Sequence, residues 1–339
     1  MIVREDLTGG GRAFTLATGA LRARVLERGA VLAELHVPGR DGQLADVIVG
    51  YANPAGYETD TAHMNAVVGR VAGRIRGAHF ELDGKLYPLV ANAGPDQLHG
   101  GPEGLHRAPF QGRVEGDDLV LTHDSPAGHM GFPGRLAVRV TYHLDPTGLS
   151  VTLEAHSDVP TPVNLTHHAY FNLAGPDATS VLDHELQVAA ARIAPNDASL
   201  LPTGTFEDVA GTHLDLRKQR RLDAVVAPER DTPRGGLDHS FALDAAEGTP
   251  RRVARLVDPR SGRRLTLATG AACLQVYSAN SLDVPRGGKR GALRRHSALC
   301  LEAQGFPDAV HHPAFPSVIL RPPNRYRNVI RFGFDVVDA

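Results

Sequence analysis

A strict two-residue rhythm constrains this chain more than any other feature. Leu136, Val138, Val140, Tyr142 and Leu144 alternate with Ala137, Arg139, Thr141 and His143. After the turn residues Asp145-Pro146-Thr147-Gly148 the rhythm returns, with Leu149, Val151, Leu153 and Ala155 set against Ser150, Thr152, Glu154 and His156. Successive side chains of a strand point to opposite faces, so this is a β-hairpin with one face in a core. Asp83-Gly84, between residues 79–82 and 85–89, marks a second hairpin, since both residues suit a two-residue turn. Further strands are predicted at 13–25, 30–37, 118–123, 184–192, 251–257, 263–267, 272–278, 298–304 and 329–337. No long segment carries a 3.6-residue apolar period, so helices are expected to be few and short. Gly 36 and Pro 24 supply the turns that so many short strands need. The expected fold is all-β: one large antiparallel β-sandwich domain over residues 1–339.

Composition removes several classes of function. A net charge of −2, with no dense Lys/Arg run, gives nucleic acid nothing to bind. No window approaches the roughly 18 consecutive apolar residues of a membrane helix. Residues 1–12 lack the apolar run of a signal peptide. Two cysteines, Cys273 and Cys300, make neither a disulfide framework nor a four-Cys metal site. A cytoplasmic protein is expected, away from membranes.

Candidate chemistry sits in a few segments. Val163-Asn164-Leu165-Thr166-His167-His168-Ala169-Tyr170-Phe171-Asn172 places two histidines among polar and aromatic residues, and histidine exchanges protons near neutral pH. In Leu299-Cys300-Leu301-Glu302-Ala303-Gln304, extended backbone turns Leu299, Leu301 and Ala303 one way and Cys300, Glu302 and Gln304 the other. A partly desolvated Glu has a raised pKa and becomes a better general base near pH 7. A solvated sheet-face Glu is the competing reading. Gln275 shares a face with Cys273 and Tyr277; it binds a hydroxyl if that face meets Glu302, and is otherwise an ordinary surface amide. His99 lies in a glycine turn, and Asp238 opens a strand. Arg70, Arg74 and Arg76 lie among glycines with no Lys-Ser/Thr pair to follow, so they read as hydroxyl donors or solvated charges rather than a phosphate loop. The 17 histidines include no His-x-His or His-Glu-x-x-His pattern, and adjacent strand histidines face opposite ways, so no metal is expected. No Gly-x-Ser-x-Gly elbow supports a serine hydrolase.

Taken together, ordered segments over nearly the whole chain resemble the aldose 1-epimerase (galactose mutarotase) family. They include Gly69-Arg70-Val71-Ala72-Gly73-Arg74-Ile75, Leu98-His99-Gly100-Gly101, Gly131-Phe132-Pro133-Gly134, Asn164 to Gly175, Asp238-His239, Gln275-Val276-Tyr277 and Leu301-Glu302-Ala303-Gln304-Gly305-Phe306-Pro307-Asp308. The resemblance implies a galactose mutarotase-like sandwich acting on a free aldose, with neither metal nor organic cofactor, as a monomer or homodimer. It implies Glu302 as general base and His168 as general acid. Arg74, His99, Asp238 and Gln275 then contact the sugar. Two positions depart from the family: Gly73-Arg74 stands where Asn-Arg is usual, and His167-His168 where Asn-His is usual. His167 is therefore expected to take over the Asn contact or to change sugar preference.

The implied reaction opens the ring. Glu302 removes the anomeric hydroxyl proton while His168, entering protonated, donates to the ring oxygen. Rotation about C1–C2 then exposes the other aldehyde face, and the roles reverse on closure. Three rivals remain at this point: a non-catalytic sugar sensor, an enzyme of phosphorylated sugars using Arg70, Arg74 and Arg76, and a glycosidase pairing Glu302 with Asp238.

Overall fold

The alternating hairpin lies near the middle of the largest sheet. In the computed structural model, which describes residues 1–8, 10–244 and 249–338, Leu136–Asp145 pairs with Gly148–Ser157 from Leu136↔Ser157 to Asp145↔Gly148. Leu136, Val138, Val140 and Tyr142 are buried and the intervening residues are partly exposed, as the rhythm requires. Asp83 and Gly84 both take positive φ in the turn between His79–Leu82 and Lys85–Pro88.

Three antiparallel sheets dominate. A nine-stranded sheet runs in the order Gln111–Glu115, Asp118–Ser125, Leu136–Asp145, Gly148–Ser157, Tyr326–Val336, Arg263–Thr269, Arg251–Val257, Glu185–Val188 and Arg220–Arg221. A six-stranded sheet runs Tyr170–Phe171, Leu299–Gln304, Cys273–Tyr277, Asp238–Ala242, Arg192–Ala194 and Glu207–Asp208. The five strands between Ile2 and Asp46 form the third. Among the described residues the sole α-helix is Leu222–Val226. The all-β, mostly antiparallel sandwich expected from the sequence is the fold observed.

One core cluster joins all three sheets. It takes Phe14, Leu16 and Leu32 from the first strands, Val140, Leu153 and Phe332 from the large sheet, and Leu274, Val276, Leu299 and Leu301 from the six-stranded sheet. Each fully buried side chain of this size contributes roughly 1.5–3 kcal/mol. That inward face fixes the strand register, so Gln275, Glu302 and their neighbours are turned to the opposite face.

Two predicted strands are corrected. Residues 13–25 are two strands, Arg12–Ala17 and Arg22–Leu26, because the Thr18 hydroxyl accepts the Leu21 N–H at 3.1 Å and closes a turn. Residues 184–192 break after Val188: Glu185–Val188 belongs to the large sheet, and the chain crosses before Arg192–Ala194 joins the six-stranded one.

The arginine run is corrected as well. Arg70 is 2% exposed, and its guanidinium donates to Ser125 Oγ, to the carbonyls of Ser125 and Pro126, and to those of Pro133 and Gly134, at 2.9–3.0 Å. It is neither solvated nor free to meet a hydroxyl; it ties two loops together. Arg76 is exposed and pairs with Asp197 at 2.8 Å. Hydrogen bonds to a charged group are worth roughly 1.5–3 kcal/mol each, and breaking such a buried set is strongly destabilising. Arg70→Met is accordingly expected to cost about 3–5 kcal/mol, read as a lowered urea midpoint at unchanged slope.

Candidate active site

The strand Leu299–Gln304 carries the carboxylate, and its register selects the neighbours. Gln275 lies directly across from Glu302 on one side and from Ser240 on its own other side, while Asp238 pairs with Tyr277. Glu302, Gln275 and Asp238 therefore converge on the face turned away from the core. Glu302 is 2% exposed, which rules out the solvated-face reading.

The histidine arrives from a separate segment held by buried amides. Asn164 donates to the Gly305 carbonyl at 3.0 Å and accepts the Gly305 N–H at 2.7 Å. Thr166 Oγ1 donates to the Ala303 carbonyl at 2.8 Å, and Asn172 donates to the Ser297 carbonyl at 3.0 Å. The His168 backbone pairs on both sides with residues 65 and 66. Its ring lies parallel to Tyr170, with centroids 5.0 Å apart, and the Tyr170 hydroxyl is anchored on the Ala62 carbonyl. His168 Nε2 thereby sits 3.7 Å from Glu302 Oε1.

Around this pair is a cavity of about 660 Å³, lined by Arg74, His99, His168, Asp238, Gln275 and Glu302 among others. A volume of this order holds a small polar ligand. Gln275 Nε2 donates to Asp238 Oδ1 at 2.6 Å. The Arg74 carbonyl accepts the Asp308 N–H at 2.9 Å, and the buried Asp308 carboxylate accepts the Arg76 N–H at 3.0 Å, so Arg74 rests on a fixed backbone. The Gly73 N–H donates to His99 Nδ1 at 3.2 Å. Neutral His99 must then carry its proton on Nε2 and present it as a donor. Gly73 itself has φ +77°, and a Cβ there would lie 2.7 Å from Pro307 Cβ. A side chain at 73, such as the Asn of the Asn-Arg pair, would thus crowd Pro307 in this chain.

Burial sets the electrostatics. It pushes the Glu302 carboxyl well above its ordinary range, and the charge of Asp238 pushes it further. Burial pulls His168 down to about 3, and His99 well down too, with neighbouring imidazoles adding to the effect. Burial also raises Asp238, against the pull of Arg74. Both shifts favour the uncharged forms and so work against the expected entry of His168 in its protonated form: an ionised pair is costly here until a ligand supplies hydrogen bonds.

His167 is the other correction. It is wholly buried, its Nε2 lies 3.0 Å from the Tyr142 hydroxyl, and its ring meets Phe332 edge-on. That hydroxyl already donates to the Ala30 carbonyl at 2.5 Å, so His167 Nε2–H is the donor to it. Neighbours on extended backbone face opposite ways, and His167 faces the core. It takes no sugar contact. Residues that the sequence did not single out complete the wall instead: His63, wedged against His99 at 4.7 Å and His106 at 4.3 Å, with Tyr51 and Arg234. They come from distant loops, and no local pattern announces them.

His99, His168 and Glu302 also have ligand atoms within 4.8 Å of one another, the composition of a metal site. A metal-binding imidazole donates its second N–H outward, whereas His99 Nδ1 receives one from Gly73. His99 is thus set to donate from Nε2 into the cavity rather than to bind an ion there. A second groove of about 610 Å³ crosses the outer face of the large sheet, over Thr122, Arg139, Glu154 and His156, but there Arg139 pairs with partly solvated Glu115 and no buried acid–base pair is lined up.

Comparison with known proteins follows the same lines. The family described as aldose 1-epimerase matches residues 12–333. The chain is 40% identical to galactose mutarotase of Homo sapiens over 332 residues, 97% of this chain and 96% of that one. It is 32% identical to aldose 1-epimerase of Escherichia coli (strain K12), covering 95% of each. A solved GalM/aldose epimerase homologue from C. elegans superposes with a TM-score of 0.88 at 30% identity, covering 96% of this chain and 98% of that one. His167→Ala is expected to lower stability by about 2–4 kcal/mol through the cavity it leaves, measured by thermal unfolding, with ligand affinity of the cavity unchanged.

Proposed function

The chain belongs to the aldose 1-epimerase family, and from that premise we propose that Glu302 and His168 are the proton-transfer pair of its mutarotation. The reaction is the interconversion of α and β anomers of a free aldose. The observation that carries the assignment is the buried 3.7 Å approach of His168 Nε2 to Glu302 Oε1 inside a sugar-sized cavity.

The pair needs one proton in total. Sugar hydroxyls donating to Glu302 stabilise its carboxylate, and the ring oxygen accepts from His168, so binding moves the proton from carboxyl to imidazole. Glu302 then takes the anomeric hydroxyl proton as His168 protonates the ring oxygen and the C1–O bond of the ring breaks. The aldehyde turns about C1–C2, and the reverse transfers close the other anomer. His99 Nε2–H, Arg74 and the Gln275–Asp238 couple hold the remaining hydroxyls. Arg74 alone of the three sequence arginines lines the cavity, so Arg70 and Arg76 do not form an anion site there, although Arg230, Arg234 and Arg295 also reach its wall. Galactose and glucose are the proposed sugars, supported by the mutarotase relatives.

We also infer a single domain, supported by the core cluster common to all three sheets and by the family match across 12–333. A cytoplasmic enzyme is supported by its free, buried Cys273 and Cys300. No helix among the described residues is long and apolar enough to cross a membrane.

Glu302→Gln and His168→Asn are each expected to lower the polarimetric rate on α-galactose by roughly 10²–10⁴-fold with the fold retained; near-normal activity in either would remove the assignment. The pH profile gives an independent check. The working pair holds one proton, so kcat/KM falls on the acid side as His168 protonates at its lowered pKa. It falls on the alkaline side as Glu302 loses its proton at its raised one. Because the Asp238 charge helps to raise Glu302, Asp238→Asn should move the alkaline limb to lower pH.

A further inference from the structure

We propose that Ser240 is a positioning residue that locks the Gln275 amide in place against Asp238, and through it the sugar-binding geometry of the cavity. The inference rests on the reading of Gln275 and Asp238 as sugar contacts.

An amide side chain is symmetric in shape and asymmetric in chemistry. One end accepts and the other donates, and a half-turn exchanges them. Gln275 sits between Ser240 and Asp238, both on the neighbouring strand Asp238–Ala242, where alternate residues share a face. Ser240 Oγ donates to Gln275 Oε1 at 2.5 Å, and Gln275 Nε2 donates to Asp238 Oδ1 at 2.6 Å. Asp238 Oδ1 accepts here and so takes the Nε2 end of the amide, which leaves the Oε1 end in need of a donor. Ser240 is that donor. It is 1% exposed, with its one hydroxyl proton committed to the amide, so it acts on the sugar through Gln275.

The consequence is directional. With the hydroxyl removed, Gln275 Oε1 loses its donor, and the amide is held at the Asp238 end alone, free to swing about that single bond. Asp238 then loses its fixed partner and its aim at the sugar hydroxyls. Because these contacts are made equally in ground and transition states, the loss falls on KM rather than on kcat. A net hydrogen bond of about 1.4 kcal/mol corresponds to a tenfold change.

The test uses Ser240→Thr and Ser240→Val, which are alike in shape and differ in the hydroxyl, together with Ser240→Ala, Gln275→Ala and their double variant. Saturation kinetics on α-galactose are followed by polarimetry. Thr is expected to keep KM near the native value, and Val and Ala to raise it about tenfold at a kcat within about twofold. The double variant should be no worse than Gln275→Ala alone. Equal KM for Thr and Val, or multiplying effects in the double variant, would overturn the proposal. The Thr/Val comparison decides it even if the Ala variant does not fold. If Gln275→Ala itself leaves KM unchanged, the sugar-contact reading fails, and the positioning role falls with it. A raised KM in Gln275→Ala beside a native KM in Ser240→Val would remove the positioning role alone.

Discussion

The structure depends on a short set of buried amides that sew an irregular segment to a regular strand. Asn164 holds Gly305 from both sides, Thr166 holds Ala303, Asn172 holds Ser297, and Asn328 donates to both Ala303 and Leu165. Segment 164–172 makes only two-residue pairings with other strands, so ladder hydrogen bonds alone would leave it loose. Buried backbone groups must find partners, and side-chain amides supply them where ladders end. Each clamp also helps to fix the distance between the two chain segments that carry His168 and Glu302. Architecture and chemistry are thus secured by the same bonds.

Burial does the second part of the work. A hydrated Glu and His would ionise independently near their ordinary pKa values, and neither would then answer to the other. Enclosure penalises both charges, pushing the carboxyl up and the imidazole down, so that each favours its uncharged form. The sandwich interior compensates for this unpaired polarity through Leu274, Val276, Leu299 and Leu301 on the reverse face of the same strands.

Much of this was legible in the sequence, for a definite reason. Strand periodicity is a local property, so the hairpin at 136–157, the two faces of Leu299–Gln304 and the strand at 251–257 can be read directly. What failed was non-local. The break at Thr18 is a side-chain turn inside an otherwise apolar run, and the crossing after Val188 depends on which sheet lies nearby. His167 was drawn toward the sugar by its place beside His168, yet strand geometry alone argued for opposite faces, and geometry prevailed. Arg70 looked like a ligand donor because its partners, four carbonyls and one hydroxyl, lie more than fifty residues away. His63, Tyr51 and Arg234 enter the wall from loops that carry no periodic signal at all.

The row of imidazoles beside the pair has one more implication. His63, His99 and His106 are all held neutral by burial, at pKa values of about 4, well below the ordinary range, and about 2. Such a wall neither stores nor leaks protons at physiological pH. In the proposed mechanism every proton lent to the ring oxygen returns to the same two residues when the ring closes, so a turnover would need no exchange with bulk water. The proton circuit would then be closed between two side chains, with the neighbouring imidazoles as bystanders.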